Sequence, residues 1–311
     1  MISSIFGKTK PISNIIVLSF LFLFYWAVYF FLFPDKISPE TILLHTFFLA
    51  ALLFSIFVIN FIVSRNKLTG ANTYTVLIYS LLLLIFPEVI ANGKGILCGL
   101  FILIATRRLV SIKSLINVKN KIFDATLWIG IASLFYDWAL LYLILVLITI
   151  WLYKPKNIRN WLVPLVGLFT LFIIVFCVMV VTDNTDFYKN HYVFSFQYKN
   201  PIFQDWRNNI LLIIYVFGTI FTIFFSFLKL GKTGLGRILS LRLILISFII
   251  GLVVMGLKNF SESLIIFTFF PAAVFATNYI ESLKRSNIKE VVLISSVVIA
   301  FGMVIFRFFI K

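Results

Sequence analysis

One pattern repeats along almost the whole chain: an apolar run of about 20 residues, then a short polar break. A helix of that length matches the roughly 30 Å of bilayer hydrocarbon, and backbone groups inside lipid must pair within their own segment. The 311 residues are 62% hydrophobic and 12% charged, against about 25% charged in an ordinary soluble domain. A soluble enzyme, a disordered chain, a collagen-like repeat and a disulfide scaffold are excluded. The expected fold is all-α: a polytopic transmembrane helical bundle of about 11 spans, forming a single integral membrane domain over residues 1–311.

The runs fall near residues 14–33, 41–63, 74–91, 95–106, 122–135, 138–153, 161–182, 210–228, 240–257, 263–282 and 290–309. The fourth and fifth are short. The basic stretch between them (RRLVSIKSLINVKNK) reads as an amphipathic interfacial helix. Short runs suggest elements broken at membrane depth, tolerated where protein or a water-filled cavity covers them. The FPEVIANGKG and ASLFYDW turns would then open into one outer cavity. Tilt alone would also shorten a run. The N-terminal segment has no small-residue cleavage site and reads as a first span, not a removed signal peptide. Cys98 and Cys177 lie in apolar runs and read as small core residues.

With the N-terminus in the cytoplasm, alternation puts nineteen Lys and Arg residues in inner connections and six in outer ones; Arg307 and Lys311 stay unassigned. The positive-inside rule favours that orientation, in a bacterial inner (cytoplasmic) membrane. The net charge of +16 therefore reads as contact with membrane lipids, and nucleic acid is not an expected partner.

Eight of the eleven carboxylates share the outer side. Asp35, Glu88, Asp137 and Glu262 sit at or just inside the ends of apolar runs. Ionisable groups at such depth are costly and commonly mark a cavity or a reaction site. Solvation of the outer loops would give the same bias. The outer cations near run ends are Lys94, Arg207 and Lys258, suited either to a lipid phosphate or to headgroup anchoring. Residues 183–209 form an amphipathic, aromatic-rich outer connection. Its rings suit stacking on a sugar or packing in the interfacial belt. Gly231-Lys232-Thr233 fails as a phosphate loop, because Ser226 stands where the first glycine belongs and no strand precedes it. Two separated histidines, His45 and His191, do not argue a metal site, and a hydrogen-bonded interfacial role suits His45.

Three segments together carry a resemblance: FPDKISPE after the first run, the short pair joined by RRLVSIKSLINVKNKIFDA, and FFPAAVFATNYIESLKR near the C-terminus. In layout the chain resembles the small GT-C class of membrane glycosyltransferases, and more narrowly it is similar to an uncharacterised polytopic family of Bacteroidota. The resemblance implies transfer of a sugar from a polyprenyl-phosphate donor to an acceptor on the extracytoplasmic side. It implies a catalytic carboxylate in the first outer loop, which by position is Asp35, with Glu40 second. Here Asp35 is followed by Lys36, not by a second acid, so a divalent metal cofactor stays open. In that scheme Glu40 or Glu88 orients the acceptor, Asp137 and Glu262 bind sugar hydroxyls, and Arg207, Lys258 or Lys94 meets the leaving phosphate. Two rivals remain: a lipid-linked solute transporter or flippase, and a non-catalytic subunit of a secretion or motility complex with membrane-protein partners.

Overall fold

The computed structural model describes residues 2–183, 186–194, 210–229, 234–257 and 262–309. Regular structure among them is entirely helical: α1 (Ile2–Phe6), α2 (Pro11–Leu32), α3 (Ile42–Asn66), α4 (Tyr74–Ile85), α5 (Gly93–Val110), α6 (Val118–Ser133), α7 (Leu143–Tyr153), α8 (Ile158–Val181), α9 (Phe187–His191), α10 (Ile210–Lys229), α11 (Leu235–Leu257), α12 (Ile266–Ser282) and α13 (Ser286–Phe309). Seven helical segments among the described residues are long and apolar enough to cross a membrane.

Burial sorts the helices into a centre and a rim. The most apolar stretch of α5 and its continuing turn is 72% buried, against 17% for α8 and α10 and 11% for α13. The centre is α4, α5 and α12, whose buried residues run around the full circumference. A helix apolar all round needs cover on every side, from neighbours or from lipid. α12 packs against α4, α10 and α11, while α5 packs against α3 and α6. The rim helices expose Phe169, Phe172, Phe217, Phe224, Val298 and Phe306, among others.

Small residues set the closest approaches. A Cβ at Gly93 would enter the Phe48 ring, which lets α5 lie against α3. At Gly167 a Cβ would stand 3.1 Å from Thr126, which brings α8 against α6.

Two expectations about the fourth and fifth runs change. α5 continues through Arg107 and Arg108 to Val110, and a 3-10 turn carries on over Ser111–Ser114, so this element has the length of a full span. No separate interfacial helix lies in the basic connection, because α6 begins at Val118. The two arginines are held on helices: Arg108 pairs with Asp124 at 3.0 Å, and Arg107 lies over the Phe61 ring. Charge ends an apolar run in sequence, yet these side chains can leave the apolar zone while their backbone stays helical.

Candidate functional site

Four 3-10 turns interrupt or follow helices at one end of the bundle, and each carries a carboxylate. They are Pro34–Lys36 with Asp35, Pro87–Val89 with Glu88, Asp137–Tyr142 with Asp137, and Glu262–Ile265 with Glu262. Proline explains two of the interruptions. It lacks an N–H donor and disfavours helical backbone in the residue before it, so Phe33 and Phe86 leave the helix. α4 stops after 12 residues, about 18 Å of helix and short of a full crossing. α5 then starts under an Asn92 cap, whose side chain accepts the Gly95 N–H at 3.0 Å.

Three of these turns meet. The Pro87–Val89 turn packs on the Glu262–Ile265 turn. Asn92 Nδ2 donates to the Tyr136 hydroxyl at 2.7 Å, which joins the Glu88 corner to the corner that carries Asp137. Tyr136 and Tyr142 flank that corner and both meet the Phe267 ring edge-on. Phe86, Tyr215 and Phe269 form an aromatic floor beneath, with the Tyr215 hydroxyl 2.8 Å from Thr268 Oγ1. The fourth turn is tied in through tyrosines. His45 Nε2 bonds the Lys36 carbonyl at 3.0 Å, the Tyr29 ring lies on His45, and the Tyr29 hydroxyl donates to the Ile90 carbonyl at 3.1 Å. His45 is thus the hydrogen-bonded residue its position suggested.

The individual side chains differ in setting. Asp35 and Glu40 are exposed on the 34–41 loop, and Lys94 is exposed in the first turn of α5. Glu88 is half-buried and forms an ion pair with Arg307 near the end of α13. Asp137 is 4% exposed. Glu262 opens its turn by backbone position. Arg207 and Lys258 lie outside the described residues. Arg307 was not singled out in the sequence, although a lone cation in the last turn of an apolar helix is itself a signal.

The aromatic connection begins with α9, latched to the end of α6. His191 Nε2 bonds the Ser133 carbonyl at 2.7 Å, and the Tyr192 hydroxyl lies 2.9 Å from Ser133 Oγ. Burial pushes the Tyr192 phenol up; the Ser133 bond opposes this and the Asp137 carboxylate adds to it. Tyr188 stacks on Phe172, and Phe194 meets Trp138 edge-on. These rings therefore pack on the bundle. Phe196, Tyr198, Phe203 and Trp206 lie outside the described residues.

Beside this latch two apolar hollows of about 450 and 270 Å³ follow α6 and α8. They share Leu134, Leu171 and Val175, and the smaller one reaches Ser133 and Tyr192. Asp35, Glu40, Glu88, Lys94 and Asp137 line neither. Among the described residues no three His, Cys, Asp or Glu side chains gather as a metal site.

Fold and corners together define a polytopic α-helical membrane protein with interrupted helices at one end. The chain belongs to DUF6427, a family of unknown function, whose profile matches residues 2–311. No curated protein and no solved structure matches it.

Proposed function

We propose that this protein is a membrane glycosyltransferase that moves a sugar from a polyprenyl-phosphate donor to an acceptor at the extracytoplasmic end of the bundle. The topology in this reading is eleven crossings with a cytoplasmic N-terminus, in a bacterial inner membrane. The observation that carries it is the meeting of the Glu88, Asp137 and Glu262 turns at one end, with the Asp35 loop clasped to them through His45 and Tyr29.

In the reaction, the acceptor oxygen forms a bond to the anomeric carbon as the bond from that carbon to the phosphate oxygen breaks. The acceptor proton passes to a carboxylate base, the role given to Asp35, which is exposed and close in sequence to Glu40. The departing polyprenyl phosphate needs a cation where its charge develops. Arg307, held by Glu88, suits this role among the described residues. The buried Asp137 suits a sugar hydroxyl as acceptor of a hydrogen bond. The apolar hollows along α6 and α8 suit a prenyl chain.

The test uses the full chain in nanodiscs, supplied with polyprenyl-phosphate hexoses labelled in the sugar and with membrane extract as acceptor. Release of polyprenyl phosphate is expected from wild type and lost in Asp35→Asn and Arg307→Gln, both still folded. Full activity of Asp35→Asn and Asp35→Ala would remove Asp35 as the base. No release from any such donor, with a membrane protein recovered by crosslinking at the rim helices, would replace the enzyme with the envelope-complex subunit. Movement of intact donor across the bilayer would replace it with the flippase.

A further inference from the structure

The opposite end of the bundle holds a second feature that the transfer reading does not use. A cavity of about 840 Å³ opens there between the connection from α3 to α4, the turn after α5 and the start of α11. Its lining includes Lys67, Lys113 and Arg237, one cation from each of these three elements. A volume of this size falls within the usual range for small-molecule sites.

The backbone of Lys67 and the side chains of Lys113 and Arg237 are held by hydrogen bonds. Lys67 caps α3 in the left-handed region at φ 51°, where the closing amides bond back to Ser64 and Val63. Lys113 donates to the Asn66 carbonyl, at the last residue of α3. This uses one of its three protons. Arg237 Nη2 donates to the Leu68 carbonyl at 3.2 Å and to Asn278 Oδ1 at 2.8 Å. Its Nε is buried and has no hydrogen-bond partner.

Negative charge at this place is scarce. Glu281 stands 3.9 Å from Arg237, but its other oxygen accepts from the Gly70 N–H at 2.8 Å and from Asn72 Nδ2 at 2.7 Å. Three cations therefore converge against one carboxylate that is already committed to the α3–α4 connection. An anion in the cavity would relieve the repulsion among these cations and accept charge-assisted bonds from their free donors. Among the described residues nothing lies within 4 Å of a Cβ added at Gly234 or Gly236, on the α11 side. Gly236 and Arg237, in the first turn of this 23-residue helix, line the cavity, and the positive end of a helix dipole favours an anion there.

We propose that this cavity is a binding site for a phosphate-bearing ligand, held by Lys67, Lys113 and Arg237. The phosphate could belong to a soluble compound or to an anionic lipid headgroup, since both present the same oxygens to the same donors. General attraction of a basic face to anionic headgroups differs from this site in one measurable respect. It depends on total charge and not on which lysine supplies it.

The experiment uses the full chain in phosphatidylcholine nanodiscs. One arm titrates labelled inorganic pyrophosphate. The other measures, by native mass spectrometry, retention of phosphatidylglycerol added to the nanodisc. Lys67→Gln and Lys113→Gln are compared with Lys284→Gln, which removes an exposed cation outside the cavity. Lys67 is exposed, so its substitution leaves the fold intact even if Lys113→Gln does not. Saturable pyrophosphate binding, about ten-fold weaker in Lys67→Gln and unchanged in Lys284→Gln, identifies a soluble phosphate ligand. Phosphatidylglycerol retention with the same selectivity identifies a lipid headgroup. Absence of both, or equal loss in all three variants, overturns the proposal. The outcome is independent of the transfer assay, because the two sites share no residue.

Discussion

Glu88 and Arg307, separated by 219 positions, form an ion pair that ties the interrupted α4–α5 corner to the last helix. Glu88 follows the proline that ends α4, and Arg307 sits in the final turn of a rim helix that is mostly unburied. The pair places a carboxylate and a cation together beside the turns that carry the other acids.

Because the two side chains are 34% and 23% exposed, their coupling is expected to be modest, about 1 kcal/mol after solvent screening. Glu88→Gln and Arg307→Gln should each lower stability, and the double variant should lose less than the sum of the two. A double-mutant cycle of denaturation in micelles measures this. Additive losses would show that the two charges do not interact.

The contact between α6 and α8 depends on Gly167, where an added Cβ would press on Thr126 and approach the Phe123 carbonyl. Gly167→Leu should destabilise the protein by about 2 kcal/mol through forced separation of the helices. Gly218→Leu, on a face with nothing within 4 Å, should be close to neutral. Equal effects in thermal unfolding would mean that this crossing is not closely packed.

Glu290, in the first turns of α13, accepts from the backbone N–H of Ile2 at 2.7 Å and of Ser3 at 3.2 Å. Those donors have no partner inside α1, so the carboxylate caps a helix of five residues. Glu290→Ala should raise hydrogen exchange at residues 2–6 while leaving α4 and α12 protected. Unchanged exchange at residues 2–6 would show that α1 is held by packing of Phe6 instead.

The helices were legible in the sequence because the signal is composition over a long window. Run ends at 33, 182, 257 and 282 fall within a residue of the ends of α2, α8, α11 and α12. α5 ends later than its apolar run because Arg107 and Arg108, which open the stretch that reads as a separate interfacial helix, stay on α5 with Asp124 and Phe61 as partners. Partners so far away in sequence leave no local trace. The corners followed from the FPEVIANGKG and ASLFYDW turns, and Asn92 before Gly93 is a readable cap. What joins the corners was not legible. The Asn92–Tyr136 bond, the Tyr29 clasp and the Glu88–Arg307 pair each link residues more than forty positions apart. The basic cavity was hidden for the same reason: Lys67, Lys113 and Arg237 each read as an ordinary inner-loop charge.

The transfer reading requires the carboxylate-bearing end to face away from the cytoplasm, and sidedness tests this most directly. Lys36→Cys and Lys67→Cys lie on opposite ends and are both exposed. They would be treated with a membrane-impermeant maleimide in right-side-out and inside-out vesicles, against wild type as the background for Cys98 and Cys177. Lys36→Cys should react in right-side-out vesicles and Lys67→Cys in inside-out vesicles. The reverse pattern would put the acids in the cytoplasm and contradict the account.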